Sequence, residues 1–115
     1  LYEDRTVQDW HRRVFGEDCW AIDLDLLGAC RRCREPLYLI EATTNPNKPT
    51  SILFNLARRA HVPALIIWHD REDPTGARQI YPDRVDINAE RLVGFITDLR
   101  SQHVSECRNP ARSHR

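Results

Sequence analysis

Methionine is absent from this 115-residue chain, and lysine occurs once, at Lys48, among seventeen basic residues. The other sixteen are arginine. A bias of that strength follows genome composition, and it makes the single lysine more informative than a lysine usually is. Net charge is missing too, because seventeen acidic residues balance the basic ones. The lack of an overall basic field counts against a high-affinity, nonspecific nucleic-acid binder. An enzyme that recruits a cation with acids and places arginines locally stays open. No apolar run nears the roughly 18 to 20 residues of a membrane span. The start, LYEDRTVQDWHRRVFG, is charged and does not read as a signal peptide. The four glycines are isolated, so there is no glycine-rich phosphate loop, and no Ser-His-Asp order is present.

Cysteine is scarce: four residues, two of them as Cys30-x-x-Cys33. With no secretory signal in view, the expected setting is reducing, intracellular and cytoplasmic rather than that of a disulfide scaffold. The length fits one hydrophobic core. Residues 1–103 read as a single domain, and 104–115, where periodicity is lost, as a disordered tail.

Val7, Trp10, Val14 and Phe15 recur at helical spacing before Gly16, predicting a helix over 4–15. The stretch CWAIDLDLLGAC alternates like a half-buried strand, and PLYLIEATT repeats the theme. The short link between them predicts an antiparallel hairpin closed by the cysteine pair. TTNPNKPTS is a break, with Thr50 or Ser51 as N-cap of a helix whose stripe is Leu53, Leu56, Ala57 and Ala60. ALIIW reads as a strand buried on both faces and parallel to a neighbour. After a polar loop, HDREDPTGAR, come a short extended piece around QIYPDRVDI and a helix capped by Asn88, with Leu92, Phe95, Ile96 and Leu99 inward. The expected fold is an α/β domain with a mixed sheet, a β-hairpin and a crossover helix, flanked by helices.

Acids interrupt the strands: Asp23 and Asp25 in the first, Glu41 in the second. Residues directly opposite in an antiparallel pair share a face. If Asp23 or Asp25 pairs with Glu41, carboxylates converge that would repel and resist ionisation when buried. Mg²⁺ or Mn²⁺, which prefer hard oxygen ligands, would resolve both problems and could activate water against a phosphodiester. Lys48 would steady the phosphate or orient the water. A turn symmetric about Cys30 and Cys33 puts Asp23 opposite Ile40, on the wrong face. One extra residue or a β-bulge restores the parity. The plain alternative is a set of acids on a solvated sheet face, although Leu27, Leu37 and Leu39 alternate in phase with them.

Acid on one strand, a hairpin, then Glu on the next strand followed by a helix and a buried strand resembles the PD-(D/E)XK nuclease superfamily, over roughly residues 5–70. The resemblance implies a restriction endonuclease-like core, with Asp25 (or Asp23) and Glu41 binding the metal ion. It also implies DNA as substrate and a lysine two residues after the Glu. That position holds Thr43, so Lys48 is the candidate replacement. A core this small implies a homodimer or a partner protein to hold a duplex; no membrane partner is expected, since no apolar run is long enough to span one.

Cys30 and Cys33 at the hairpin tip suit a Zn²⁺ knuckle, reduced thiols in a turn, or a redox pair. A structural zinc site needs four ligands. No second Cys-x-x-Cys or His-x3-His follows, leaving Cys19, His11, His69, Cys107 or a second subunit to complete it. Arg31, Arg32 and Arg34 form a small basic cluster at the tip, a candidate contact to a phosphate backbone. Two alternatives to a nuclease stand beside it. One is a non-catalytic nucleic-acid- or protein-binding module with a zinc-stabilised hairpin, the other an inactive nuclease-fold subunit.

Overall fold

The computed structural model describes residues 6–16, 24–45 and 47–107. Among them the order is α1 (Thr6–Phe15), β1 (Leu26–Ala29), β2 (Pro36–Thr43), α2 (Ser51–Ala60), β3 (Ala64–His69), β4 (Pro74–Tyr81), β5 (Val85–Asn88) and α3 (Ala89–Glu106). The five strands form one mixed sheet in the order β1-β2-β3-β4-β5. The pair β2/β3 is parallel; β1/β2, β3/β4 and β4/β5 are antiparallel. The small α/β domain with a mixed sheet, hairpin and crossover helix is therefore present, and α2 makes the crossover.

Strand alternation sends Leu39, Ala64 and Ile66 to one face, where Leu53 and Ala57 of α2 meet them. Ile40, Leu65, Ala77 and Ile87 point to the other face, against Leu92 of α3, with Phe95, Ile96 and Leu99 packed alongside. Leu65 is fully buried at the centre of the sheet. Each buried Leu or Ile side chain contributes about 1.5–3 kcal/mol by leaving water. Asn88 caps α3, its side chain accepting a hydrogen bond from the Arg91 N–H at 3.1 Å. Leu56, expected in the inward stripe of α2, is instead 46% exposed.

Other departures are informative. The segment PTGAR, read as loop, is the first part of β4 and pairs with β3. Its Pro74 sits at the strand's first residue, where a missing N–H is tolerated. The first strand is shorter than expected: it begins at Leu26, and Asp23, Trp20 and Cys19 lie outside the described residues. Helix α3 continues to Glu106 with Cys107 as its C-cap, so order extends past the tail boundary set at 104; residues 108–115 lie outside the described residues. The apolar stripe of α1 is not covered: Trp10 is 46% exposed, and Val7, Val14 and Phe15 are exposed beside it. Among the described residues no helix is long and apolar enough to cross a membrane.

Candidate functional site

Hairpin register decides whether the carboxylates meet. At the turn, the Cys30 N–H donates to the Glu35 carbonyl at 2.9 Å, and Ala29 pairs with Pro36. Continued unchanged, that register would set Asp25 against Ile40 and point it into the apolar face under α3. A register shift falls between Gly28 and Ala29: Gly28 pairs with Tyr38 and Leu26 with Ile40, leaving Leu37 as the extra residue. One step further along, Asp25 stands across from Glu41. The bulge that parity demands is there. Glycine is required at its edge, because a Cβ on Gly28 would collide with the ring of Tyr38.

Asp25 is exposed and Glu41 half-buried. The Ala42 N–H donates to Asp25 Oδ2 at 2.9 Å, anchoring that carboxylate to β2. Lys48 Nζ donates to Glu41 Oε1 at 2.7 Å, with side-chain exposures of 39% and 13%. The turn after β2 returns the lysine: Thr43 Oγ1 accepts from the Asn45 N–H at 3.0 Å, and Asn45 Oδ1 from the Asn47 N–H at 2.9 Å. Thr43 is itself buried on the same strand face as Glu41. Burial pushes the Glu41 carboxyl above its ordinary range, and hydrogen-bonding contact with Asp25 adds to the rise, while Lys48 opposes it. Asp25, Glu41 and Lys48 thus share one place; Asp23 falls outside the described residues.

Beside Lys48 opens a cleft of about 600 Å³ lined by Thr50, Asn55, Trp68, Arg78 and Arg84 among others. Arg78 lies on the Glu41 face two strands away, through Ile66, which pairs with both. Its guanidinium stands 5.4 Å from the Trp68 ring centroid, and its Nε donates to Asp86 Oδ1 at 2.6 Å. That hydrogen bond holds the Asp86 carboxyl below its usual range. The Trp68 indole N–H is buried without a partner among the described residues. These cleft arginines escaped sequence reasoning, since arginines are everywhere in the chain. Arg31, Arg32 and Arg34 are exposed at the hairpin turn, at the opposite end of β2 from Lys48. Pro36 to Glu41 alone spans roughly 17 Å of strand.

A second cluster forms at that turn. Donor atoms of Cys30, Cys33, His103 and Cys107 all lie within 4.8 Å of one another and could hold a metal ion such as zinc. Cys33 Sγ is 3.2 Å from His103 Nε2, and Cys30 Sγ is 4.0 Å from Cys107 Sγ. The latter separation is about twice a disulfide bond, and the three thiols are free. The Cys33 backbone N–H, reaching the Cys30 sulfur, pulls that thiol down to about 6. Burial, followed by the side chains of Cys33 and Cys30, pushes Cys107 up to about 11. Three sulfurs this close cannot all be thiolates without a cation between them. Of the residues proposed to complete the site, Cys107 is in it. His11 and His69 are not, and the His69 Nδ1–H donates to the Asp70 carbonyl at 2.8 Å. His103 was missed. Its signal, His103-x3-Cys107, carries the spacing of His-x3-His with a mixed ligand pair.

No protein-family model, curated protein or solved structure matches the chain.

Proposed function

We propose that the chain is a small metal-dependent nuclease of the PD-(D/E)XK type, cutting DNA phosphodiester bonds with Mg²⁺ or Mn²⁺ at Asp25 and Glu41. The observation that carries this reading is the meeting of Asp25, Glu41 and Lys48 on one sheet face. Two carboxylates in contact, one half-buried, call for a cation, and their hard oxygens suit Mg²⁺. A bound Mg²⁺ would supply a water of lowered pKa and neutralise charge building on the phosphate. Lys48 now donates to Glu41; a phosphate oxygen entering the adjacent cleft would compete for the same ammonium, which would then stabilise its charge. Arg78 and Arg84 give that cleft positive charge for the strand's backbone. The hairpin, crossover helix and parallel buried strand follow the order that a restriction endonuclease-like core implies. A duplex exceeds the grip of one such domain, so a homodimer or a partner protein belongs to this reading.

The test is cleavage of plasmid or branched DNA with Mg²⁺. Wild-type protein cuts, and Glu41→Ala, folded by circular dichroism, does not. Equal cleavage by the variant would overturn the assignment. A wild-type protein that binds DNA without cutting would move the chain to the inactive-subunit class. The Cys–His cluster favours one second reading: a non-catalytic nucleic-acid- or protein-binding module whose hairpin tip is organised by a metal ion. That module would keep every binding activity in Glu41→Ala.

A further inference from the structure

We infer that Cys30, Cys33, His103 and Cys107 form a closed four-ligand site for one Zn²⁺ ion, which fastens the end of α3 to the β1–β2 turn. Three thiols and an imidazole are the donors that zinc takes in structural sites, whereas hard Mg²⁺ and Ca²⁺ avoid them. The geometry suits a tetrahedron. Zn–S bonds of about 2.3 Å place two sulfurs about 3.8 Å apart, and Cys30 and Cys107 stand at 4.0 Å. With Zn–N of about 2.0 Å the sulfur–nitrogen edge is about 3.5 Å, so the 3.2 Å between Cys33 and His103 needs to widen by a few tenths.

Each half of the site is built by local structure. In the turn, the Cys30 carbonyl accepts from the Arg34 N–H at 2.8 Å, and Arg34 adopts φ 66°, so the chain reverses tightly enough to aim both sulfurs inward. On α3, His103 and Cys107 are four residues apart and share a helix face. The two halves are 70 and 77 residues distant along the chain. Four protein ligands leave no open position, which makes the ion structural rather than catalytic. Bound through three thiolates and a neutral imidazole, the ion leaves the site at net −1, beside the positive charge of Arg31, Arg32 and Arg34.

The ion would supply a restraint that packing does not. Strand β1 has four residues, and Leu24, Leu26 and Leu27 around it are 41%, 47% and 51% exposed. The turn that the ion grips lies directly beside the Gly28/Ala29 shift that brings Asp25 to the Glu41 face. The site itself stands apart from the carboxylates and does not depend on their chemistry.

The experiment uses the full chain, untagged and purified without chelator under reducing conditions, with zinc counted by mass spectrometry. One zinc per chain is expected. Replacing it with Co²⁺ should give a thiolate-to-cobalt charge-transfer band with tetrahedral d–d absorption. His103→Ala should retain less than a tenth of the metal. His103→Cys should retain it with a stronger charge-transfer band, which separates ligand loss from failure to fold. A wild-type protein that carries no zinc and develops no cobalt band overturns the proposal, as does full zinc retention in a His103→Ala, Cys107→Ala double variant. Neither DNA nor Mg²⁺ enters these measurements, so failure of the nuclease reading leaves their outcome unchanged.

Discussion

Asp25→Asn should make the metal-free protein more stable while removing its response to Mg²⁺. The substituted amide keeps an oxygen to accept the Ala42 N–H that Asp25 now accepts at 2.9 Å. Its NH₂ can donate to Glu41, where the wild-type carboxylate repels. Two unit charges about 4 Å apart interact by about 4 kcal/mol at an effective dielectric near 20. Lys48 offsets part of that, although its 39% exposure lets water weaken the pair. The net relief is roughly 0.5 to 2 kcal/mol near neutral pH. The gain should fade in acid. Because burial and Asp25 raise the Glu41 pKa in the fold, the native state holds a proton that the unfolded chain releases. Wild-type stability therefore falls as pH rises from Glu41's ordinary value through the raised one, and the Asn variant flattens that slope. Urea unfolding in mild acid and near neutrality measures both effects. Mg²⁺ at ten times its Kd adds about 1.4 kcal/mol to a protein that binds it only when folded. Wild type should gain it and Asp25→Asn should not. An Asn variant destabilised near neutrality, or stabilised by Mg²⁺ as much as wild type, would refute the reasoning.

Further substitutions probe the remaining links. Lys48→Ala should slow cleavage by about 10²- to 10³-fold, as loss of a charge-stabilising donor does, while changing stability by no more than about 1 kcal/mol; an unchanged rate in a plasmid assay removes Lys48 from the mechanism. Gly28→Val drives a side chain into the Tyr38 ring, and should cost about 1 to 3 kcal/mol by overpacking, read by thermal or urea unfolding. Asn88→Ala deletes the acceptor for the Arg91 N–H and should cost about 1 kcal/mol, with little effect on cleavage.

Most helices and the central strands were legible because their signals are local. Leu53 and Ala57 repeat at helical spacing, ALIIW can bury both faces, and Asn88 caps by its own side chain. The start of β4 was hidden because Pro74, Thr75 and Gly76 are turn residues by composition, and pairing with β3 overrides that preference. Register was legible only as a condition. Periodicity says which residues share a face within a strand, whereas the Gly28/Ala29 shift arises from the turn and the Tyr38 ring crossing Gly28. Lys48 could be named because it is alone in the sequence, but its contact depends on the turn that follows Thr43. His103 was overlooked for a different reason. Cys33, its partner in the turn, lies 70 residues away, and the helix that delivers His103 runs past the point where apolar periodicity fades.

The sharing of one hard cation by Asp25 and Glu41 is tested most directly by diffraction from a crystal soaked in Mn²⁺ and measured for anomalous signal. A single peak about 2.1–2.2 Å from an oxygen of each carboxylate is predicted, with Lys48 Nζ displaced from the Glu41 oxygen that it now holds at 2.7 Å. Carboxylates that bind no Mn²⁺ at saturating concentration, with the Lys48–Glu41 pair intact, would contradict it.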